Sequence, residues 1–267
     1  MRQNATIVSQ QYIAPDTYRM RLRAPEMVAL MQPGQFVHVR VQSGSTSYDP
    51  LLRRPISLAD FHTGEGTFDL VYQAVGRGTA VLSERQPNEQ LDVLGPIGRS
   101  FPLPASNYQT VALVAGGLGV PPLLPLARQL CHKKAKVVLF LGARSKDQLL
   151  MVEDFSALGV ETRLFTDDGS AGSVGRVTDG LVDALRVMEA DRLYACGPMP
   201  MLRALHPLVE AAHVEAWFSL ETHMACGIGA CLGCTVTVRE GDTTRLALLC
   251  QEGPVFSARE VSFHVTA

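Results

Sequence analysis

The chain lacks an excess of charge of either sign. Its 267 residues carry 24 Lys and Arg against 26 Asp and Glu, a formal net charge of −2, with no long run of one sign. That balance argues against nucleic-acid binding driven by counterion release. An unbroken apolar run is also missing. The longest, 110-TVALVAGGLGVPPLLPLA-127, is interrupted by three glycines and three prolines. It reads as a buried strand, a turn and a helix start, not as a membrane span. Residues 1–25 have no apolar core of the kind a signal peptide needs. The expectation is a cytoplasmic protein, whose thiols stay reduced. Cysteine itself is scarce, with six in all, and in that compartment a disulfide framework is disfavoured. Repeats and low-complexity tracts are absent. What is present, 46% apolar and 19% charged residues, is the composition of a folded chain with a sizeable core.

Residues 1–102 read as an antiparallel β-barrel domain. Apolar and β-branched segments at 5–14, 17–25, 35–42, 54–61, 67–75 and 90–98 are separated by Gly, Pro, Asn and Asp clusters, and one helix is predicted over 79–86. The pattern changes at the proline-bearing stretch 101-FPLPASNY-108. Across 103–213, apolar strands at 109–117, 136–144, 161–168 and 191–198 alternate with helix-length segments at 121–133, 147–157, 177–188 and 199–212. This alternation predicts an α/β domain, a parallel sheet with helices on both faces. Residues 214–267 are Cys- and Gly-rich, strand-like at 234–241 and 245–250, and read as a separate appended module. The predicted fold class is therefore multi-domain, with barrel, α/β domain and small C-terminal module in that order.

Four of the six cysteines fall in the last part. Cys226, Cys231 and Cys234 are spaced C-x4-C-x2-C within 224-MACGIGACLGCTV-236, and Cys250 follows at a distance. Three readings arise. Spare core cysteines would not crowd so. Four thiolates can bind zinc, but structural zinc sites usually pair their ligands as two C-x2-4-C knuckles, which the C-x4-C step fits poorly. A plant-type [2Fe–2S] cluster takes this spacing. Gly227, Gly229 and Gly233 would leave room for the cluster and permit positive φ in a tight ligand loop. His223 has a Rieske-type reading as a ligand, but four cysteines already complete the plant-type set.

A cluster that moves single electrons needs a partner site in the same chain. Gly116, Gly117 and Gly119, in 115-AGGLGVPPLLPLA-127, follow an apolar strand and open a helix, with Pro121 or Pro122 suited to its first turn. A helix N-terminus there is a ready anion site. The stretch is not GxGxxG, and tight packing alone would also explain its glycines. In 195-ACGPMPML-202 the design repeats, placing Cys196 and Gly197 at the carboxyl end of a parallel strand, where ligands of open α/β sheets bind; an inert core cysteine is the plainer reading. In the barrel, Arg54 and Ser57 of 53-RRPISL-58, with Gly78 and Thr79 at a helix start, are suited to a shared pyrophosphate, or else are a solvated arginine and an ordinary helix cap.

Taken in order, these signals resemble the ferredoxin-reductase superfamily, in which a flavin barrel bearing R-x-x-S precedes a nicotinamide domain bearing G-G-x-G-x-x-P and C-G-P. The wording M-A-C-G-I-G-A-C-x-G-C, with 166-TDDGSAGSVGRVTD-179 and 250-CQEGPVF-256, is similar to that of the electron-transfer subunits of type-B dihydroorotate dehydrogenases, over essentially the whole chain. The resemblance implies FAD held by Arg54, Pro55, Ile56 and Ser57, by Val71, Tyr72 and Gln73, and by Gly78 and Thr79. It implies NAD at Gly116, Gly117, Gly119, Cys196 and Gly197, and a [2Fe–2S] cluster on Cys226, Cys231, Cys234 and Cys250. One departure stands out: family members often carry arginine where this chain has Gln73, and Arg77 is the candidate to compensate. The implied activity is an electron relay in pyrimidine (UMP) biosynthesis, from an FMN-containing dihydroorotate dehydrogenase catalytic subunit to NAD+, with two copies of each subunit in a heterotetramer. The cofactors carry the chemistry, so no catalytic side-chain acid or base is expected. Relatives of the same architecture, subunits of sulfide dehydrogenases, soluble hydrogenases and bifurcating ferredoxin–NADP+ oxidoreductases, are the rival reading. A redox sensor is a second rival, though it would have no use for two nucleotide turns.

Overall fold

A computed structural model describes residues 1–42, 49–103 and 110–263. The first part is a closed antiparallel barrel in the order β1-β2-β5-β4-β3-β6. Its strands are β1 (Arg2–Ala14), β2 (Thr17–Arg23), β3 (Phe36–Arg40), β4 (Arg54–His62), β5 (Thr67–Gln73) and β6 (Gln90–Ile97). The short helices α1 (Pro25–Val28) and α2 (Arg77–Ser83) interrupt it. Alternation along each strand fills the interior, as Val37 and Val39 of β3 show by packing with Leu58, Leu70 and Val93. Phe36 and His38 stand on the opposite side of the same strand. Both are buried, so other parts of the chain cover the outside of the barrel there.

The second part is an open sheet in the order β10-β9-β8-β7-β11-β12-β15. In chain order it runs β7 (Thr110–Gly116), α3 (Leu123–His132), β8 (Lys136–Ala143), α4 (Val152–Ala157), β9 (Glu161–Thr166), β10 (Ser173–Val174), α5 (Leu181–Val187), β11 (Arg192–Cys196), α6 (Met199–Ala212) and β12 (Glu215–Ser219). All these strands pair in parallel. Alternate residues face opposite layers. Val111, Leu113 and Leu139 pack under α3 and α4, and Ala112, Val114 and Phe140 under α5 and α6. Both faces are thus covered, as an all-parallel strand set requires. The strand order reverses between β7 and β11, which opens a crevice at their carboxyl ends. Among the described residues, no helix is long and apolar enough to cross a membrane.

Three expectations need correction. The helix predicted over 147–157 is divided: Lys146–Gln148 form a 3-10 turn, Met151 takes a left-handed conformation at φ +59, and α4 begins only at Val152. The helix predicted over 177–188 starts at Leu181, after Gly180 at φ +68. Residues 214–267 are not a free-standing unit. A hairpin, β13 (Thr235–Glu240) and β14 (Thr243–Leu248), leads through α7 (Leu249–Glu252) into β15 (Val255–Ser257), and β15 pairs antiparallel with β12. Phe218 and Phe256 are buried at that junction, so this segment closes the edge of the parallel sheet. Of the predicted linker 101–108, residues 104–108 lie outside the described residues, as do Gln109 and 264–267.

Charged side chains join the barrel to the sheet helices. Arg128 of α3 pairs with Asp60 of β4, and Arg19 of β2 with Asp69 of β5 and Asp154 of α4. Asp60 is 2% exposed. Arg128→Met leaves that carboxylate buried without its guanidinium, and losing one partner of a buried pair costs about 3 kcal/mol or more. The expected result is a lower unfolding midpoint in urea; an unchanged midpoint would show that the pair contributes nothing.

Candidate functional site

The crevice at the strand reversal is built by two interlocked turns. β7 ends at Gly116 and runs into a 3-10 turn over Gly117–Gly119. β11 ends at Cys196, followed by Gly197 and Pro198 before α6. Gly119 lies directly against the Cys196 carbonyl, with no room for a Cβ, and a Cβ on Gly197 would come within 3.0 Å of the Gly116 nitrogen. Packing of turn on turn therefore requires these glycines. Gly117 differs: it adopts φ +50 and open space surrounds its Cβ position, so its backbone is accessible. Pro121 and Pro122 precede α3, with Pro122 as its N-cap. Gly119→Ala is expected to push the two turns apart. Misplacement of about an ångström can cost about a hundredfold in rate, so, with nicotinamide at these turns as the resemblance implies, flavin reduction by NADH should slow on that order while FAD stays bound. A rate within twofold of wild type would contradict the packing argument.

These turns form one wall of a cleft of about 210 Å³. Pro55, Ser57 and Phe36 of the barrel form the second wall. Ser219, Glu221, Met224, Leu249 and Pro254 of the C-terminal part form the third. Burial pushes the Cys196 thiol up to about 12, against the Ser219 hydroxyl, so it is a neutral thiol. The third wall was not legible in the sequence as part of this cleft. No local pattern brings Phe36 or Pro254 to the cleft.

On the barrel, β4 and β5 part company beside this cleft. Their ladder runs from the His62–Thr67 pair to the Leu58–Leu70 pair and ends there. Both strands continue, β4 pairing with β3 through Arg54–Ser57 and β5 with β2 through Val71–Gln73. The notch between them exposes backbone edges rather than side chains. Val71 is 4% and Tyr72 2% exposed, and Ile56 packs into the barrel core. The Tyr72 hydroxyl donates to Gln10 Oε1 at 2.8 Å, and burial raises its pKa further above the ordinary phenol value. Gln73 sits at the rim and donates to the Pro15 carbonyl. Thr79 Oγ1 accepts from the Gly76 N–H at 3.3 Å and caps α2. Gly78 lies directly beneath the Arg54 guanidinium, which would have to shift to admit a Cβ there.

Three arginines at this rim are in different situations. Arg53 is held by Asp92, and Arg77 by Asp49. Arg54 donates to the Leu52 carbonyl at 2.6 Å, and among the described residues no carboxylate pairs with it. Its positive charge is the uncompensated one, as an anion-binding side chain requires.

The four clustered cysteines form two pairs. The Cys231 N–H donates to Cys226 Sγ at 3.4 Å, and the Cys250 N–H to Cys234 Sγ at 3.5 Å. The Ile228 and Gly233 N–H groups point at Cys226 and Cys231 sulfurs. The Ile228 N–H lowers the Cys226 thiol to about 7, while burial raises Cys250 to about 11. Positive φ at Gly227 (+70), Gly229 (+81) and Leu232 (+55) turns the loop around these sulfurs. Among the described residues, no three His, Cys, Asp or Glu side chains converge on one ion position. Two thiol pairs suit a two-iron group with two ligands per iron better than a single tetrahedral zinc. Cys131 lies in α3, well along the chain from this loop.

Comparisons with known proteins agree part by part. Residues 4–101 match the FAD-binding domain of oxidoreductases and 113–206 the NAD-binding domain of oxidoreductases. Residues 221–262 match the iron–sulfur cluster binding domain of dihydroorotate dehydrogenase B. The electron transfer subunit of dihydroorotate dehydrogenase B (NAD(+)) from Geobacillus kaustophilus is 47% identical, over 97% of this chain and 98% of its own length. That of Enterococcus faecalis is 43% identical over 96% of each. A solved structure of an NADH-dependent reduced ferredoxin-NADP oxidoreductase is 33% identical with a TM-score of 0.85, covering 98% of this chain and 90% of that one. With its barrel, its switch-point crevice and its paired cysteines in this order, the chain belongs to the family of electron transfer subunits of NAD(+)-linked dihydroorotate dehydrogenase B.

Proposed function

We propose that the chain takes electrons from an FMN-containing catalytic subunit that oxidises dihydroorotate and delivers them to NAD+, as a cytoplasmic step of pyrimidine biosynthesis, in a heterotetramer with two copies of each subunit. The observation that carries this reading is the single cleft walled by the barrel, the nucleotide turns and the segment leading to the cysteine loop. The chemistry the bound groups supply is one-electron transfer at the cluster and hydride exchange with nicotinamide at the flavin. The chain's own part is to hold them close together and away from water.

Arg54 offers its uncompensated charge to the flavin pyrophosphate, and Gly78 lets the phosphate side of the site approach the guanidinium closely. Pro55 and Ser57 face the cleft from β4. Val71, Tyr72 and Gln73 serve through their backbone along the open edge of β5, since the first two side chains are buried. Arg77 is engaged by Asp49, so it stands in for the absent family arginine at Gln73 only by giving up that pair. Gly116, Gly117, Gly119, Cys196 and Gly197 border the nicotinamide side. Cys226, Cys231, Cys234 and Cys250 are the iron ligands.

The test is an iron, acid-labile sulfide and flavin assay on anaerobically purified protein, followed by NADH. About two irons, two sulfides and one FAD per chain, with flavin bleaching by NADH, are expected. Reconstitution with an FMN dihydroorotate-oxidising subunit should then give NAD+ reduction. A bound flavin that NADH does not bleach would favour the sensor reading.

A further inference from the structure

His38 has no role in anything described so far, yet its placement is unusual. It lies on β3 with its backbone opposite Pro55 of β4 and Leu94 of β6. It is 0% exposed, and neither ring nitrogen has a hydrogen-bond partner. A buried polar group left unpaired costs about 1–3 kcal/mol, and such groups in native structures point to a missing ion, ligand or water.

What covers His38 is the cysteine loop. Gly227 is buried against the ring, and a Cβ there would stand 2.6 Å from Nδ1. The Cys226 carbonyl also acts on the ring, without reaching hydrogen-bonding geometry. The histidine is thus a barrel side chain in the wall between the Pro55 side of the cleft and the turn that carries the first cysteine. Steric need alone would be met by any flat side chain; an unpartnered Nδ1 facing the cysteine loop is not explained that way.

We propose that His38 is a positioning residue of the iron–sulfur site, seating the Cys226–Gly227 turn on the barrel and donating its Nδ1–H toward Cys226 when the cluster is bound. The inference rests on the reading of Cys226, Cys231, Cys234 and Cys250 as cluster ligands. A donor aimed at a ligand residue offsets the extra negative charge of the reduced cluster, so it favours reduction. Nε2 is not the nitrogen that faces Gly227, and it has no part in the effect.

The two nitrogens can be separated by substitution. Asparagine places its amide N–H near the Nδ1 position, glutamine places it near Nε2, and leucine supplies none. Anaerobically purified full-length chain, wild type and the His38→Asn, His38→Gln and His38→Leu variants, would be assayed for iron, sulfide and FAD. Each would then be titrated redox-wise with the reduced cluster followed by EPR. His38→Leu and His38→Gln are expected to keep the cluster but shift its reduction equilibrium about tenfold toward the oxidised form, about 59 mV for a one-electron couple. His38→Asn is expected to stay within about twofold of wild type. Equal potentials in all four proteins would overturn the proposal, as would rescue by glutamine instead of asparagine, or a shift confined to the flavin. If His38→Leu does not fold, the asparagine and glutamine variants decide the question between them. Wild-type protein without iron and sulfide would overturn the ligand assignment instead, a separate failure.

Discussion

Cys231→Ser is expected to leave the purified chain folded and yellow with flavin but stripped of iron and sulfide, from about two of each per chain to background. The fold should tolerate the change because the Cys231 side chain is exposed. Its sulfur accepts the Gly233 N–H at 3.5 Å. A serine oxygen is a poor ligand for iron beside three thiolates, and the cluster has no fourth sulfur to recruit: Cys131 is in α3 and Cys196 sits across the cleft walls. Visible absorption, iron and sulfide assays and a thermal melt would be compared with wild type. Full iron and sulfide in the variant would refute the ligand set. A collapsed melting temperature would show instead that the loop depends on this thiol for folding. NADH should still bleach the flavin of the variant, since the nucleotide turns and the barrel notch do not include Cys231.

Arg54→Ala is expected to weaken FAD binding by about 10- to 100-fold. Hydrogen bonds to charged groups contribute about 1.5–3 kcal/mol, and each 1.4 kcal/mol is about tenfold in affinity. Arg54 is the suitable residue because, among the described residues, no carboxylate pairs with it. The control is its neighbour. Arg53 makes its bonds to the Asp92 carboxylate at 2.6 Å and to the Asp92 carbonyl at 2.8 Å, so Arg53→Ala should lower stability and leave flavin affinity near wild type. Fluorescence of released flavin on dilution measures the first, and a urea melt the second. Flavin retained equally by Arg54→Ala and wild type would remove Arg54 from the phosphate site.

Much of the architecture was readable from the order of residues. All six barrel strands follow from alternating runs between turn residues, and α6 spans Met199–Ala212 as its pattern predicts. The failures have two causes. β12 and β15 are five and three residues long, too short to show periodicity, and the surrounding glycines and cysteines dominate the composition. The helix at 147–157 failed because left-handed Met151 is a backbone choice that no local preference of methionine announces. The candidate flavin residues Val71 and Tyr72 stand at the notch, but as backbone, because the barrel core claims the Tyr72 side chain and the cluster between barrel and α3 claims that of Val71.

Ligand spacing, turn glycines and strand alternation act over a few neighbouring residues, so the linear chain already contained the cysteine loop, the two nucleotide turns and the barrel-then-sheet order. Other features depend on groups far apart in the chain, and no local pattern encodes them. The β4–β5 notch comes from where two ladders end. The free charge of Arg54 comes from Asp92 and Asp49 engaging its neighbours. The burial of His38 comes from Gly227, nearly two hundred residues away, closing over a barrel strand. Folding had to bring these together, because burial and charge pairing are properties of packed surfaces.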